Sequence, residues 1–339
     1  MLGILVLASG LACKPVTRAA SAALATGCAG CGPAPLQSIG DVALPGASVR
    51  FDYQDVDSVN GHLVVAHMND NSVDIVALAD GSTLQTLADI PTARGVVVAP
   101  EAGLTFVTSS PDQLVAIDSV AMTEVRRVTT GSSPDGVGWD GADGVVAVSD
   151  QGDGGITLIP DDGAGTGVEY LLGDTTGNVS FDAARSRFWI TVEHGSATDQ
   201  LVAVDPRTGS QVAALNLPGC QGAHGLRLHP DGASAYIACE NNDTVARVDL
   251  TTGAVTTAAS SAGPDVFALD AEKGWLYLAA EDGPTQIFDT SASGLTLIGT
   301  QTIGDNAHTV AVDPTTHRVY FPLPVGPNGT PVLRIMEPG

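Results

Sequence analysis

Residues 224–253 read HGLRLHPDGASAYIACENNDTVARVDLTTG. An apolar run, Leu226-Arg-Leu228, meets the turn His229-Pro-Asp-Gly-Ala233, and a second run, Ala235-Tyr-Ile-Ala238, comes back from it. A third run, Thr244-Val-Ala-Arg-Val248, reaches the turn Asp249-Leu-Thr-Thr-Gly253, and Ala254-Val-Thr-Thr-Ala-Ala259 follows. Short β-branched and apolar stretches broken by Asp, Pro and Gly are strands joined by hairpins. No helical period persists across the segment. This stretch therefore encodes two consecutive hairpins.

The first of these turns recurs along the chain. It stands at Asp57–Gly61, Ala99–Gly103, Asp140–Gly144, Asp182–Ser186, His229–Ala233, Asp270–Gly274 and Asp313–His317, with successive starts 41 to 47 residues apart. Each turn has an apolar run on either side, VVV and LTFV around the second, FAL and WLYLA around the sixth. The second hairpin repeats as well, at Asp80-Gly81 and at Asp205-Pro-Arg-Thr-Gly209. Four antiparallel strands in about 42 residues, repeated seven times, predict an all-β, seven-bladed β-propeller of four-stranded blades. The last repeat has strands near 308–313, 317–322 and 331–336 and then lacks its outer strand. Gln37–Leu44 reads as an outer strand without a blade. Pairing the two closes the ring and removes two free sheet edges.

The formal charge is −24, and Lys occurs only at Lys14 and Lys273. Such a field repels phosphate backbones and anionic lipid, which excludes nucleic acid as a partner and favours cations. Asp at repeated turn positions, where the side chain caps local backbone, accounts for most of the charge. At the N-terminus, Leu2–Ala12 is an apolar stretch too short to span a bilayer, and it fits the core of a secretory leader. Small residues before Cys13 resemble a lipoprotein cleavage site, with Cys28 as a second candidate. The expected organisation is a leader over 1–13, a linker over 14–36 and the propeller over 37–339. The expected location is the periplasm or cell exterior, with a lipid anchor as the one link to a membrane. Cys28-Ala-Gly-Cys31 has metal or redox spacing but lacks a second pair. A monomer is expected.

In a four-stranded blade the inner strand starts, and the second strand ends, on one face of the disc. Aligning the repeats places inner-strand starts at Asp52, Arg94, Asp135, Gly177, His224, Asp265 and His308. Second strands end near His67, Ser109, Asp150, Glu193-His194, Cys239-Glu240, Glu281 and Pro322. Four of the seven histidines fall in this set, and His62, His229 and His317 map to the far face. Imidazole and carboxylate groups converging from separate blades suit zinc, copper, iron or calcium. The expected ligands are His67, His194, His224 and His308 with Glu193, Glu240 and Glu281. For a hydrolytic role, Asp265 or Asp135 would take a proton and Arg94 would steady developing negative charge. The alternative is that these groups cap loops and hold channel water.

Cys220 precedes one inner strand and Cys239 ends the following strand, so both belong on the mouth face. A disulfide, a thiolate ligand beside His224 and two free buried thiols are the options, the first favoured in an exported protein. The form H-G-L-x-L-H-P-D-G-x-x-x-Y-I-A-C-x-N-N-D-T-V-x-x-V-D-L-x-T-G resembles the YVTN/YncE-like propeller repeats. Ala307-His-Thr-Val-Ala-Val-Asp-Pro-Thr-Thr-His-Arg-Val-Tyr320 fits the same pattern, and the likeness covers roughly 46–339. The resemblance implies an exported propeller and no single reaction. Lactonase relatives of the fold bind a divalent metal at the channel mouth, but their Glu-Gly-Pro opening is absent here. Four mouth histidines are too few for the copper cluster of nitrous oxide reductase. Three functions follow: a binding protein for a metal ion or small ligand at the mouth, a metal-dependent hydrolase of the lactonase or esterase type at the same site, and a protein-interaction scaffold.

Overall fold

The computed structural model describes residues 35–291 and 294–339. The leader, Cys13, Cys28, Cys31 and nearly all of the 14–36 linker lie outside the described residues. What is described forms seven four-stranded antiparallel sheets. Blade 1 comprises Gln54–Asp57, His62–His67, Ser72–Ala77 and Thr83–Leu87. The inner strands of blades 2 to 7 are Val96–Ala99, Pro134–Asp140, Thr175–Asp182, Ala223–Leu228, Pro264–Asp270 and Ala311–Val312. Each inner strand packs beside the next, and that of blade 7 packs beside that of blade 1, so the sheets close into a propeller.

Closure takes the form expected from the sequence. Leu36–Ala43 pairs antiparallel with Val332–Pro338 and becomes the outer strand of blade 7, joining the two ends of the propeller in one sheet. The first strand begins at Leu36.

Packing explains why a repeated strand pattern yields a ring. Seven apolar clusters fill the seven seams, each drawing on two neighbouring blades. A second strand feeds two seams at once, because successive side chains alternate faces. Leu63 and Val65 face blade 7, while Val64 and Ala66 face blade 2. Both faces of the middle strands are thus buried, whereas outer strands such as Thr83–Leu87 remain exposed and polar.

The turns carry much of the acidity. Asp57 accepts N–H bonds from Val59 and Asn60. Asp140 accepts from Ala142, Asp205 from Arg207 and Thr208, Asp249 from Thr251 and Thr252, and Asp313 from Thr315. One carboxylate oxygen fixes the turn in each case.

Cys220 and Cys239 are disulfide-bonded. Such a bond belongs to an oxidising, non-cytoplasmic compartment. Among the described residues no helix is long and apolar enough to cross a membrane.

Candidate functional site

One backbone device builds the mouth of the channel. In blades 3, 4, 5 and 6 the pairing of inner and second strands breaks over two residues: Asp135-Gly136, Gly177-Asn178, His224-Gly225 and Asp265-Val266. Blades 1 and 2 show the same bulge at Asp52-Tyr53 and Arg94-Gly95, where two residues share one partner: Asp52 N–H donates to the Ala66 carbonyl and Ala66 N–H to the Tyr53 carbonyl, and Arg94 N–H donates to the Thr108 carbonyl and Thr108 N–H to the Gly95 carbonyl. A bulge re-aims side chains out of the regular alternation. Here it turns Asp52, Arg94, Asp135, His224 and Asp265 out of the seams and toward the axis, while in blade 4, where Gly177 stands first, Asn178 reaches in instead.

Glycine at the second position allows neighbouring inner strands to approach. A Cβ on Gly225 would sit 1.8 Å from the Asp265 carbonyl oxygen, and one on Gly95 would sit 2.2 Å from that of Asp135. Second-strand hydroxyls then fix the mouth residues of the next blade. Thr108 donates to the Asp135 carbonyl at 2.7 Å, and Thr191 donates to the His224 carbonyl at 2.7 Å.

The side chains brought together are His224, Glu240 and Asp265, each offering a ligand atom within 4.8 Å of the others. Asp135 joins them, with Oδ2 3.2 Å from His224 Nε2. That oxygen is buried and faces the imidazole as its ion-pair partner. Arg94 lies 3.7 Å from Asp135. Arg50 bridges Glu281 at 2.6 Å and Asp265 at 3.9 Å. Glu193 is close enough to feel the His224 charge.

Burial dominates the electrostatics. It pushes Asp52 up to about 7, with repulsion from Asp135 adding to it. Burial also drives Asp265 well above the usual carboxylate range. Asp135 moves the opposite way: against the penalty of burial, His224, Arg94 and Arg50 hold it below its ordinary value. Burial opposes a charge on His224, yet Asp135, Glu240 and Asp265 lift it to about 10. The mouth is a shared network in which buried acids outnumber their cationic partners.

The other three predicted histidines lie outside this ligand group, although His308 senses Arg50 and Glu281 at its edge. His67 is fully buried in the seam between blades 7 and 1, stacked on Phe51, with Nε2 3.1 Å from the Ala47 carbonyl. Its position on the strand explains this. His67 shares the parity of Leu63 and Val65, so it points into the same seam as they do. His194 turns to Asp174 at 2.8 Å and Gln200 at 3.1 Å. His308 is buried with Nδ1 3.4 Å from the Asn306 carbonyl, and burial pushes it down to about 4, leaving it neutral. Among the residues that end second strands, His67 enters a seam whereas Glu240 and Glu281 reach the mouth; residues at inner-strand bulges face the channel.

Three participants were missed by sequence reasoning. Arg50 lies two residues before the aligned position of blade 1. Tyr53 and Asn178 occupy the second bulge position, where three other blades have Gly95, Gly136 and Gly225. Polar side chains in a column of glycines were the available signal. Tyr53 donates to Asp265 Oδ1 at 3.3 Å and accepts from Asn178 Nδ2.

No protein-family model matches the chain, and no curated protein matches it. Solved structures do. A chain of Kuenenia stuttgartiensis hydrazine synthase superposes with a TM-score of 0.70 at 16% identity, covering 83% of this chain and 94% of that one. A chain of a mitotic checkpoint complex superposes with a TM-score of 0.73 at 12% identity, covering 99% and 98%. At these identities the likeness is one of fold. The class is a seven-bladed β-propeller with an acidic, histidine-bearing channel mouth.

Proposed function

We propose that this protein is an extracytoplasmic binding module of the YncE-like type that holds a divalent cation at His224, Glu240 and Asp265. One observation carries the proposal: an imidazole and two carboxylates from blades 5 and 6 converge within 4.8 Å. The buried Asp135 carboxylate, 3.2 Å from His224 Nε2, supports it by holding the imidazole in place and adding negative charge beside the cation. A mixed nitrogen and oxygen set suits zinc or another first-row ion. The rigid ring lowers the entropic cost of assembling these ligands from separate blades.

The test is a calorimetric zinc titration of tag-free protein stripped with chelator. One-to-one binding is expected, weakened at least about tenfold in Glu240→Gln and His224→Ala. Glu240 is more than a third exposed, so its substitution leaves folding intact. Absence of stoichiometric binding, or wild-type affinity in both variants, overturns the proposal. A lactonase-type hydrolase at the same site is a second reading, favoured by the contact of Asp135 with both His224 and Arg94. It predicts zinc-dependent turnover of simple lactones that Asp135→Asn abolishes.

A further inference from the structure

The channel continues below the mouth. Tyr53 reaches across it from blade 1, bonded to Asp265 of blade 6 and Asn178 of blade 4. These three side chains cap a cavity of about 390 Å³ that extends to the turns at 182–184 and 230–232 on the opposite face. Its walls include Val137, Trp139, Val179, Phe181, Leu226 and Phe267. Asp55, Ser180, Asp182 and Arg227 line it as well, and a pocket that mixes apolar walls with a few polar groups suits a small organic ligand.

We propose that this lower channel binds a small organic amine, with its ammonium group against Asp265 and Tyr53 and its apolar body between Trp139, Phe181 and Phe267. Hydrogen-bond accounting at the closed end selects the head group. The single Tyr53 proton is committed to Asp265 Oδ1, so an arriving group meets the remaining lone pairs of both oxygens. Asp265 has no closer cation than Arg50 at 3.9 Å, on its other oxygen. A donor-only ammonium matches those lone pairs and brings the positive charge that a buried Asp265 carboxylate needs, whereas a carboxylate would bury a second acid beside it. Aromatic walls add attraction for a cation. The formal charge of −24 raises the local concentration of cations. Arg227 is exposed toward the open end, where water screens it.

The test uses full-length protein in excess EDTA, which keeps metal out of the mouth and separates this result from the fate of the cation proposal. Phenethylamine, phenethyl alcohol and phenylacetate are titrated by calorimetry and by tryptophan fluorescence, since Trp139 lines the cavity. Phenethylamine should bind one-to-one, at least about tenfold tighter than the alcohol, and the carboxylate should not bind. Ser180→Phe fills the cavity and should abolish binding; Tyr53→Phe should weaken it about fivefold. If Ser180→Phe does not fold, Tyr53→Phe with a matching melting curve decides. Equal affinity for amine and alcohol, or amine binding unchanged in the folded variants, overturns the proposal.

Discussion

Replacing both Cys220 and Cys239 with Ala tests whether the mouth depends on a covalent brace. The disulfide closes a loop with a sequence separation of 19, and inside that loop lies His224, with Glu240 immediately beyond it. Chain-entropy arithmetic for a loop of this length gives a stabilisation of about 3 kcal/mol at 25 °C. Unfolding about 300 residues carries an entropy near 0.6 kcal/mol/K, so the melting temperature should fall by about 5 °C. Both cysteines are buried within the seam between blades 4 and 5, and Ala retains part of that packing. Thermal melts by circular dichroism on the wild type and the double variant measure the drop. Zinc calorimetry on the same samples measures the site, where a loss of several-fold is expected because two of the three ligands lose their shared anchor. A drop below about 1 °C, with mass spectrometry confirming an intact bond in the wild type, would refute the entropic argument. A normal drop with unchanged zinc affinity would refute the bracing argument alone.

Two further outcomes follow from the seams and the bulges. Burial raises Asp150 to about 7 against the Thr157 hydrogen bond that favours its charge, and one of its oxygens has no partner. A folded-state value above the unfolded one means that stability is lost as pH rises from about 4 to about 7. Asp150→Asn should therefore raise the urea midpoint at pH 8, by an equivalent of roughly 1–3 kcal/mol, and change it little at pH 5. A larger gain at pH 5 than at pH 8 would contradict the sign. At the mouth, Gly225→Ala places a Cβ against the Asp265 carbonyl and should cost about 2–4 kcal/mol in chemical denaturation, with zinc binding impaired in the folded fraction. Wild-type stability in that variant would show that the close strand approach is not required.

The blades were legible because their signals are local. Most turns announce themselves through an Asp that bonds backbone two or three residues on, and the middle strands through alternation that fills two seams. Strand closure was also legible, since an unpaired Gln37–Leu44 matched a missing edge near 331–336. The site was half legible for a geometric reason. Alignment by turns counts residues correctly but assigns no direction, and direction depends on whether a residue sits in the ladder or in a bulge. Asp135, His224 and Asp265 sit where pairing breaks, so their side chains escape the alternation and reach the axis. His67 sits in an unbroken ladder opposite Ser72, so it obeys the alternation and enters a seam. The X-Gly pairs at Arg94-Gly95, Asp135-Gly136 and His224-Gly225 mark these breaks, because close strand approach there tolerates no Cβ. In blades 2, 3 and 5 a mouth residue is therefore marked by the glycine that follows it; in blades 1 and 4 Tyr53 and Asn178 stand at that position and reach into the channel, and in blade 6 Val266 follows Asp265 and packs into a seam.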